Sequence, residues 1–529
     1  MAVKISNLAL APSDDPCDKK RIANLLHLST EQVRSVHIIK RSVDARRKPH
    51  IHVVYTLLVH LAGQDKEVVE HLHSPHISYV SFSPSAPLTS GTRPLPSRPV
   101  VVGTGPAGLF CAYFLAQHGY RPIVLERGEP VEQRSRSVRS FWTGGSLNPE
   151  SNVQFGEGGA GTFSDGKLTT RIHDPLCSDV LEIFHRHGAP KEILFEAKPH
   201  IGTDILKDVV RNMRNAILSW GGEVHFRHQL TDIHVGSGGL DGIYINGQPH
   251  PCSLLVLAIG HSARDTFHML QKRGAAMQAK AFAIGARIEH SQELINAAQY
   301  GDVGLAKLLK NATYHLTYHQ GDRSCYTFCM CPGGSVVASA SEEGMLVVNG
   351  MSEYARDGEN ANSALVVSVT PVDFPSASPL AGITFQQHWE RLAFRAGGGR
   401  YHAPVQRVED FLQKKPSSDL GRVVPSYLPG VVPGDLDVCL PPYVTETMRG
   451  ALHSFDRKLK GFALSDALLT GVETRTSSPV RLLRGEDFQA VGIPGLYPAG
   501  DGSGYAGGIV SAAVDGLKIA RKIIESFAP

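Results

Sequence analysis

The stretch RPVVVGTGPAGLFCAYFLAQHGYRPIVLERG, Arg98 to Gly128, decides the fold. Val100 to Val102 make a short unbroken apolar run, as in a strand buried on both faces. Leu109, Phe110, Tyr113 and Phe114 recur at helical spacing, and Gly119 stands where a left-handed cap ends a helix. PIVLE then reads as a second strand. Between the first strand and the helix lie Gly103, Gly105 and Gly108 as G-x-G-x-x-G. Gly103 permits the tight turn, Gly105 lets a pyrophosphate approach the backbone, and Gly108 allows close helix–strand packing. The helix N-terminus adds free N–H groups and a positive dipole end. The motif alone is weak. Its setting, with Glu126 closing the next strand at the spacing of a ribose ligand, makes it a dinucleotide site. A carboxylate there favours a free 2′-hydroxyl, so FAD or NAD rather than NADP.

The choice between those two is made near the C-terminus. GLYPAGDGSGYAGGIVSAAVDGLKIARKI places Gly500 and Asp501 after a short apolar segment, then a glycine-rich turn and an amphipathic helix. Asp501 is placed to hydrogen-bond a ribityl hydroxyl. The helix start at Gly507, Gly508 and Ile509 can aim its dipole at the flavin edge that gains charge on reduction. NAD needs no such element, so the cofactor read from the sequence is FAD.

The chain resembles the glutathione-reductase-type FAD flavoproteins, in the branch with a single dinucleotide fold. More narrowly it is similar to a family known as uncharacterised FAD-dependent dehydrogenases. The matching segments include RSVDARRK, the stretch quoted first, NVQFGEGGAGTFSDGKLTTR, LAIGHSARDTF, FAIGARIEH, YTFCMCPGGSVV, TRTSSPVR and YPAGDGSGYAGGIVSAAVDG. The resemblance implies FAD contacts at Gly103, Gly105, Pro106, Ala107, Gly108, Glu126, Arg127, Gly500, Asp501, Gly507, Gly508 and Ile509. It adds Ala258 and Gly260 at a strand end, and Leu230 on the adenine side. It also implies that the glycine-rich stretch with Gly159 and Ser164 runs along the cofactor. Asp165 and Lys167 would then sit near the flavin, where Lys167 raises its reduction potential.

The rest sets the frame. The 529 residues carry a formal charge of +3, which gives no reason to propose nucleic acid as a partner. No apolar run is long enough for a transmembrane segment, and a cytoplasmic location is the default. Eight cysteines do not make a disulfide scaffold. The fold class expected is α/β: a Rossmann-like FAD-binding domain with an inserted α+β substrate domain and a small N-terminal α+β domain. The N-terminal unit covers 1–81 and a proline-rich linker 82–99. The FAD-binding domain covers 100–290 and 471–529, and the insert 291–470. What protein, if any, the N-terminal unit binds is not legible.

Candidate catalytic residues follow from position. Tyr505, between Asp501 and the last helix, is expected to face the flavin ring. Arg287 and Glu289 alternate on one strand face; they pair with each other, or Arg287 binds a substrate carboxylate. Arg475 precedes the closing flavin motif, and Lys167 ends the glycine-rich stretch. His261, Ser262, Arg264 and Asp265 either close the nucleotide site or cap a helix. Cys325, Cys329 and Cys331 share a strand face by their even spacing and read as core cysteines; a redox thiol pair is the alternative. No metal site is expected. The leading function is an FAD-dependent oxidoreductase, a dehydrogenase or reductase moving a hydride between a small-molecule substrate and flavin N5, with NAD(P)H as a possible electron donor. The alternatives are a flavin monooxygenase using NAD(P)H and oxygen, and a non-catalytic flavin-binding sensor or scaffold.

Overall fold

A computed structural model describes residues 2–48, 50–63, 65–81 and 88–529, so 82–87 of the expected linker lie outside the described residues. At its centre is a 5-stranded sheet in the order Leu496–Pro498, Leu255–Leu257, Val100–Val102, Ile123–Glu126, Glu223–Phe226. Every neighbouring pair in it is parallel. The three-residue valine strand lies in mid-sheet, all three residues buried. The helix Pro106–Gln117 follows the glycine turn and Gly119 leaves it with φ of 88°. The last helix, Ile509–Ser526, packs against it so closely that a Cβ on Gly516 would stand 2.1 Å from Ala107 O. The architecture is the α/β, Rossmann-like arrangement read from the sequence.

The N-terminal segment forms a 4-stranded antiparallel sheet, with Ala2–Leu10 between His52–Leu61 and Ile77–Val80 and with Val33–Asp44 at one edge. Its strand His52–Leu61 alternates buried and half-exposed residues, the period of a sheet covered on one face. That sheet is joined to the rest of the chain at Arg41. The Arg41 N–H donates to Phe195 O at 2.7 Å, and Ala197 N–H donates back to Arg41 O at 2.8 Å.

The third large unit is a 7-stranded sheet in which Phe282–Ser291 lies between Asn360–Val369 and Leu468–Glu473. This corrects the expected insert boundaries. Phe282–Ser291 pairs along its whole length with Asn360–Val369, so its hydrogen bonds place it in the inserted sheet, not with the nucleotide-binding strands. A second correction concerns the cysteines. The register between Arg323–Cys331 and Asn360–Val369 shifts between Phe328 and Cys331. Such a bulge breaks the two-residue alternation. Cys325 packs in the apolar core, while Cys329, at φ of 42°, is turned to a cavity. Among the described residues no helix is long and apolar enough to cross a membrane.

Candidate functional site

One cavity of about 710 Å³ runs from the glycine turn to the inserted sheet, within the roughly 300–1,000 Å³ usual for small-molecule and cofactor sites. Its first end is backbone. Gly103, Thr104, Gly105, Pro106 and Ala107 line it where the helix begins, with Gly507, Gly508 and Ile509 from the start of the last helix. Arg127, Leu230, Ala258 and Gly260 complete this end. Two helix N-termini thus open on one space, each offering unpaired N–H groups and a positive dipole end.

The glycine-rich stretch forms a flank. Gly159, Gly161 and Ser164 line the cavity, and Gly158 N–H donates to Thr104 O at 3.0 Å. Fully buried Arg134 pins this loop from behind. Its three nitrogens donate to Asn152 O at 2.9 Å, Glu157 O at 2.6 Å and Val153 O at 3.0 Å. Nothing in the local sequence marks Arg134, since its partners are main-chain carbonyls about twenty residues on.

Glu126 lines the cavity, but its carboxylate is already engaged. One oxygen accepts from Thr104 N–H and Thr104 Oγ1 at 3.0 and 2.6 Å, the other from Gly128 and Gly156 N–H at 2.9 and 3.0 Å. The same carboxylate therefore ties the glycine turn to the glycine-rich loop. Arg127 forks onto Asp265 and Glu150 and stacks on Phe155.

The other end carries side-chain chemistry. Lys167 Nζ donates to Asp165 at 2.7 Å and contacts Met330 O. Arg356 forks onto the same fully buried Asp165. Glu473, Arg475, Cys329 and Asn349 stand in the same wall. Arg287 Nη1 donates to Glu473 at 2.9 Å and its Nη2 to Cys329 O at 2.7 Å. Burial pushes the Glu473 carboxyl up to about 7 against the pull of Arg287. Between the ends, His261 Nδ1 pairs with Asp501 Oδ2. This leaves two buried atoms, His261 Nε2 and Asp501 Oδ1, with no partner among the described residues.

The chain is 52% identical over 530 residues to a protein of Clostridium beijerinckii described as "Uncharacterized protein", covering 100% of this chain and 99% of the relative. Residues 281–476 match the family described as FAD-dependent protein, C-terminal domain-like. The chain belongs to one family with this relative, and its residues 281–476 carry the FAD-dependent C-terminal domain. Residues 101–148 match the NAD(P)-binding Rossmann-like domain, and residues 2–60 a domain of unknown function. Among solved structures the chain is similar to a glycine oxidase from Geobacillus kaustophilus, at TM-score 0.35 and 11% identity over 80% of this chain and 94% of that one. It is similar at the same score and identity to a geranylgeranyl bacteriochlorophyll reductase-like protein from Thermoplasma acidophilum, over 80% of this chain and 77% of that one. Overlaps this loose say nothing of substrate.

FAD is the cofactor of this FAD-dependent protein. The first end of the cavity fits it chemically. The helix N-termini suit a pyrophosphate. The two partnerless polar atoms suit hydroxyl or ring hydrogen bonds. The backbone at Gly260 and Gly507 has no neighbour within 4 Å of a Cβ position, so a ligand can lie against it.

Two of the named glycines work elsewhere. A Cβ on Gly108 would meet Gly103 O at 1.9 Å, and one on Gly500 would meet the Ala107 Cβ at 2.6 Å, so both serve packing behind the wall. Tyr505 corrects an expectation. Its ring lies against the Arg484 guanidinium, 3.9 Å from carbon to ring centroid, and it is not among the described residues that line the cavity. Arg287 is also corrected. It pairs with Glu473 rather than Glu289 and is wholly buried behind the wall. Glu289 instead accepts from Ser426 and Asn360. Arg475 lines the cavity, yet its guanidinium is committed to Glu390, Ser341 and Ser262. Arg264 forks onto the same Glu390 from the other side. Glu473 directly precedes TRTSSPVR, and nothing in that local pattern marks it as a site residue. Its signal is the strand pairing that sets Glu473 across from Gly285, two residues from Arg287.

Proposed function

We propose that the protein is an FAD-dependent dehydrogenase or reductase of the glutathione-reductase type, exchanging a hydride with a small-molecule substrate in this cavity. One observation carries the reading: a single cavity joins two helix N-termini to a wall of ionisable side chains. Bound FAD supplies a two-electron hydride acceptor or donor at N5.

The chain's own groups divide the remaining work. Gly103 to Ala107 and Gly507 to Ile509 hold the pyrophosphate and the ring edge. Asp501 and His261 offer Oδ1 and Nε2 to the cofactor's polar groups. Glu473 takes or returns the substrate proton that accompanies the hydride. Its carboxyl is held near neutrality by burial, where an acid–base group works best. Lys167, fixed by Asp165, orients the substrate. Arg475, clamped by Glu390, keeps the wall in shape.

The test is an anaerobic titration of the flavin-loaded protein with NADH and NADPH, followed in the visible flavin band. Bleaching by either, with no hydroxylated product when oxygen and candidate substrates are admitted, supports a reductase. A flavin bleached only by an organic substrate supports a dehydrogenase. Consumption of oxygen coupled to hydroxylation, or a flavin that no donor reduces, overturns the reading.

A further inference from the structure

The cavity wall beyond the glycine turn holds more positive than negative charge, and the excess is not neutralised inside the protein. Lys167, Arg171, Lys198 and Arg356 all line it. A single buried acid, Asp165, serves two of them, Lys167 and Arg356. Among the described residues Lys198 bonds only the neutral Thr313 hydroxyl, at 3.1 Å, and Arg171 has no acidic partner. Other ionisable groups in this wall have partners of their own: Glu473 pairs with Arg287, Arg475 and Arg264 with Glu390 and Glu342, and Asp501 with His261. Lys198 and Arg171, both solvent-exposed at the cavity, are therefore left without an acidic partner among the described residues.

The backbone shows how they are brought together. Lys167 and His200 form an antiparallel bridge, with Leu168 N–H on Pro199 O at 2.9 Å and Ile201 N–H on Gly166 O at 3.1 Å. Along KLTTR the side chains alternate: Leu168 is buried in the core, while Lys167, Thr169 and Arg171 line the cavity. In this register Lys198 stands opposite Thr169 and joins the same face. The N-terminal sheet holds the second segment from outside, through the Arg41 backbone bonds to 195–197 and the Arg41–Glu196 ion pair at 2.7 Å. Lys198 is exposed at the cavity, yet partial desolvation and then the Arg356 and Lys167 charges push its ammonium below its ordinary range. Cations crowded in this way repel one another, and an anion placed among them relieves it.

We propose that this wall binds an acidic group of the substrate, which is therefore a small organic anion, a carboxylate or a phosphate ester, gripped by Lys198 and Arg171 with Lys167 and Arg356 behind. This rests on reading the cavity as the flavin's substrate site, and it narrows the substrate to acids. It also gives the N-terminal sheet a task, which is to hold the Lys198 segment in place.

The experiment is equilibrium binding to the flavin-loaded protein, read as a flavin difference spectrum without turnover. Oxalate, benzoate and inorganic phosphate are the anionic probes; oxamide and benzamide are the neutral counterparts. At least one anion binds saturably and its neutral counterpart does not. Lys198→Ala and Arg171→Ala each weaken that anion roughly tenfold to a hundredfold, the scale of one charge-assisted hydrogen bond, with flavin content unchanged. Binding of the carboxylates alone assigns a carboxylic acid, and of phosphate alone a phosphate ester. The proposal is overturned if no anion binds, if the amides bind equally well, or if both variants keep full anion affinity. Because the readout is binding, a protein that takes up anions yet never exchanges a hydride sinks the oxidoreductase reading and leaves this one standing.

Discussion

Gly159 packs against Gly105: a Cβ on Gly159, at φ of 63°, would lie 2.9 Å from the Gly105 Cα, whereas a Cβ on Gly105 would meet nothing nearer than 3.9 Å. Within the turn, open Gly105 and closely packed Gly108 therefore separate by role. Gly105→Ala is expected to fold normally and to lose FAD affinity by about tenfold or more, because its methyl enters the space a pyrophosphate needs. Gly108→Ala drives its methyl into Gly103 O and is expected to melt early even without cofactor. Melting curves of the apo-proteins and FAD titrations separate the two. Equal melting losses in both would show that Gly105 also serves packing.

Arg134 satisfies three buried carbonyls of the glycine-rich loop with one planar fork. Lysine keeps the charge and loses the fork, so Arg134→Lys is expected to destabilise the protein by about 2–4 kcal/mol and to speed FAD release. Urea midpoints and the rate of flavin fluorescence recovery on dilution read the two effects. If R134K matches the parent in both, the loop is held by its glycine packing alone.

Cys329 should be the most reactive thiol of the chain at mildly acid pH. A hydrogen bond from Cys331, then the Lys167 and Arg287 charges, hold it well below the ordinary thiol range despite burial. Burial instead pushes the more open Cys17 and Cys177 upward. Iodoacetamide at pH 6.5, with peptide mapping, is expected to label Cys329 first, and Lys167→Met to slow that labelling. Labelling that follows exposure, with Cys17 leading, would sink the idea.

His290 supplies a pH dependence of stability. Burial pushes its imidazole down to about 4, and its Nε2–H donates to Phe462 O at 2.7 Å. The unfolded chain takes up a proton near its ordinary value, about 6.5, while the folded one resists until about 4. Between those values the unfolded state binds more protons, so this group's contribution is whole above 6.5 and falls as pH drops. From pH 7 to 5 the parent should lose on the order of 2 kcal/mol more than His290→Gln. Urea midpoints at both pH values decide it, and identical losses would show that the group is not held neutral.

What could be read in advance follows from how far each residue reaches along the chain. The valine strand, the glycine turn, its helix and Glu126 lie within thirty-one residues, and their spacing alone prescribes a strand–helix–strand unit. The bulge after Phe328 left no such trace. Alternation in CYTFCMC predicts one common face, and only pairing with Asn360–Val369 shows where the alternation breaks. Tyr505 was misplaced for a related reason. Its neighbours in sequence border the cavity, but Arg484 and Arg481 draw its ring elsewhere.

Local sequence therefore determined the cofactor class and the α/β scaffold, because helix starts, strand periods and glycine turns are short-range backbone physics. The tertiary structure decided which charges face one another: Glu473 with Arg287, Glu390 between Arg264 and Arg475, and Asp165 between Lys167 and Arg356. Those partners are separated by up to 191 positions, as with Asp165 and Arg356. A charge in a sequence has no partner until packing removes the water around it, and only then is it known whether it is neutralised or left to bind a substrate.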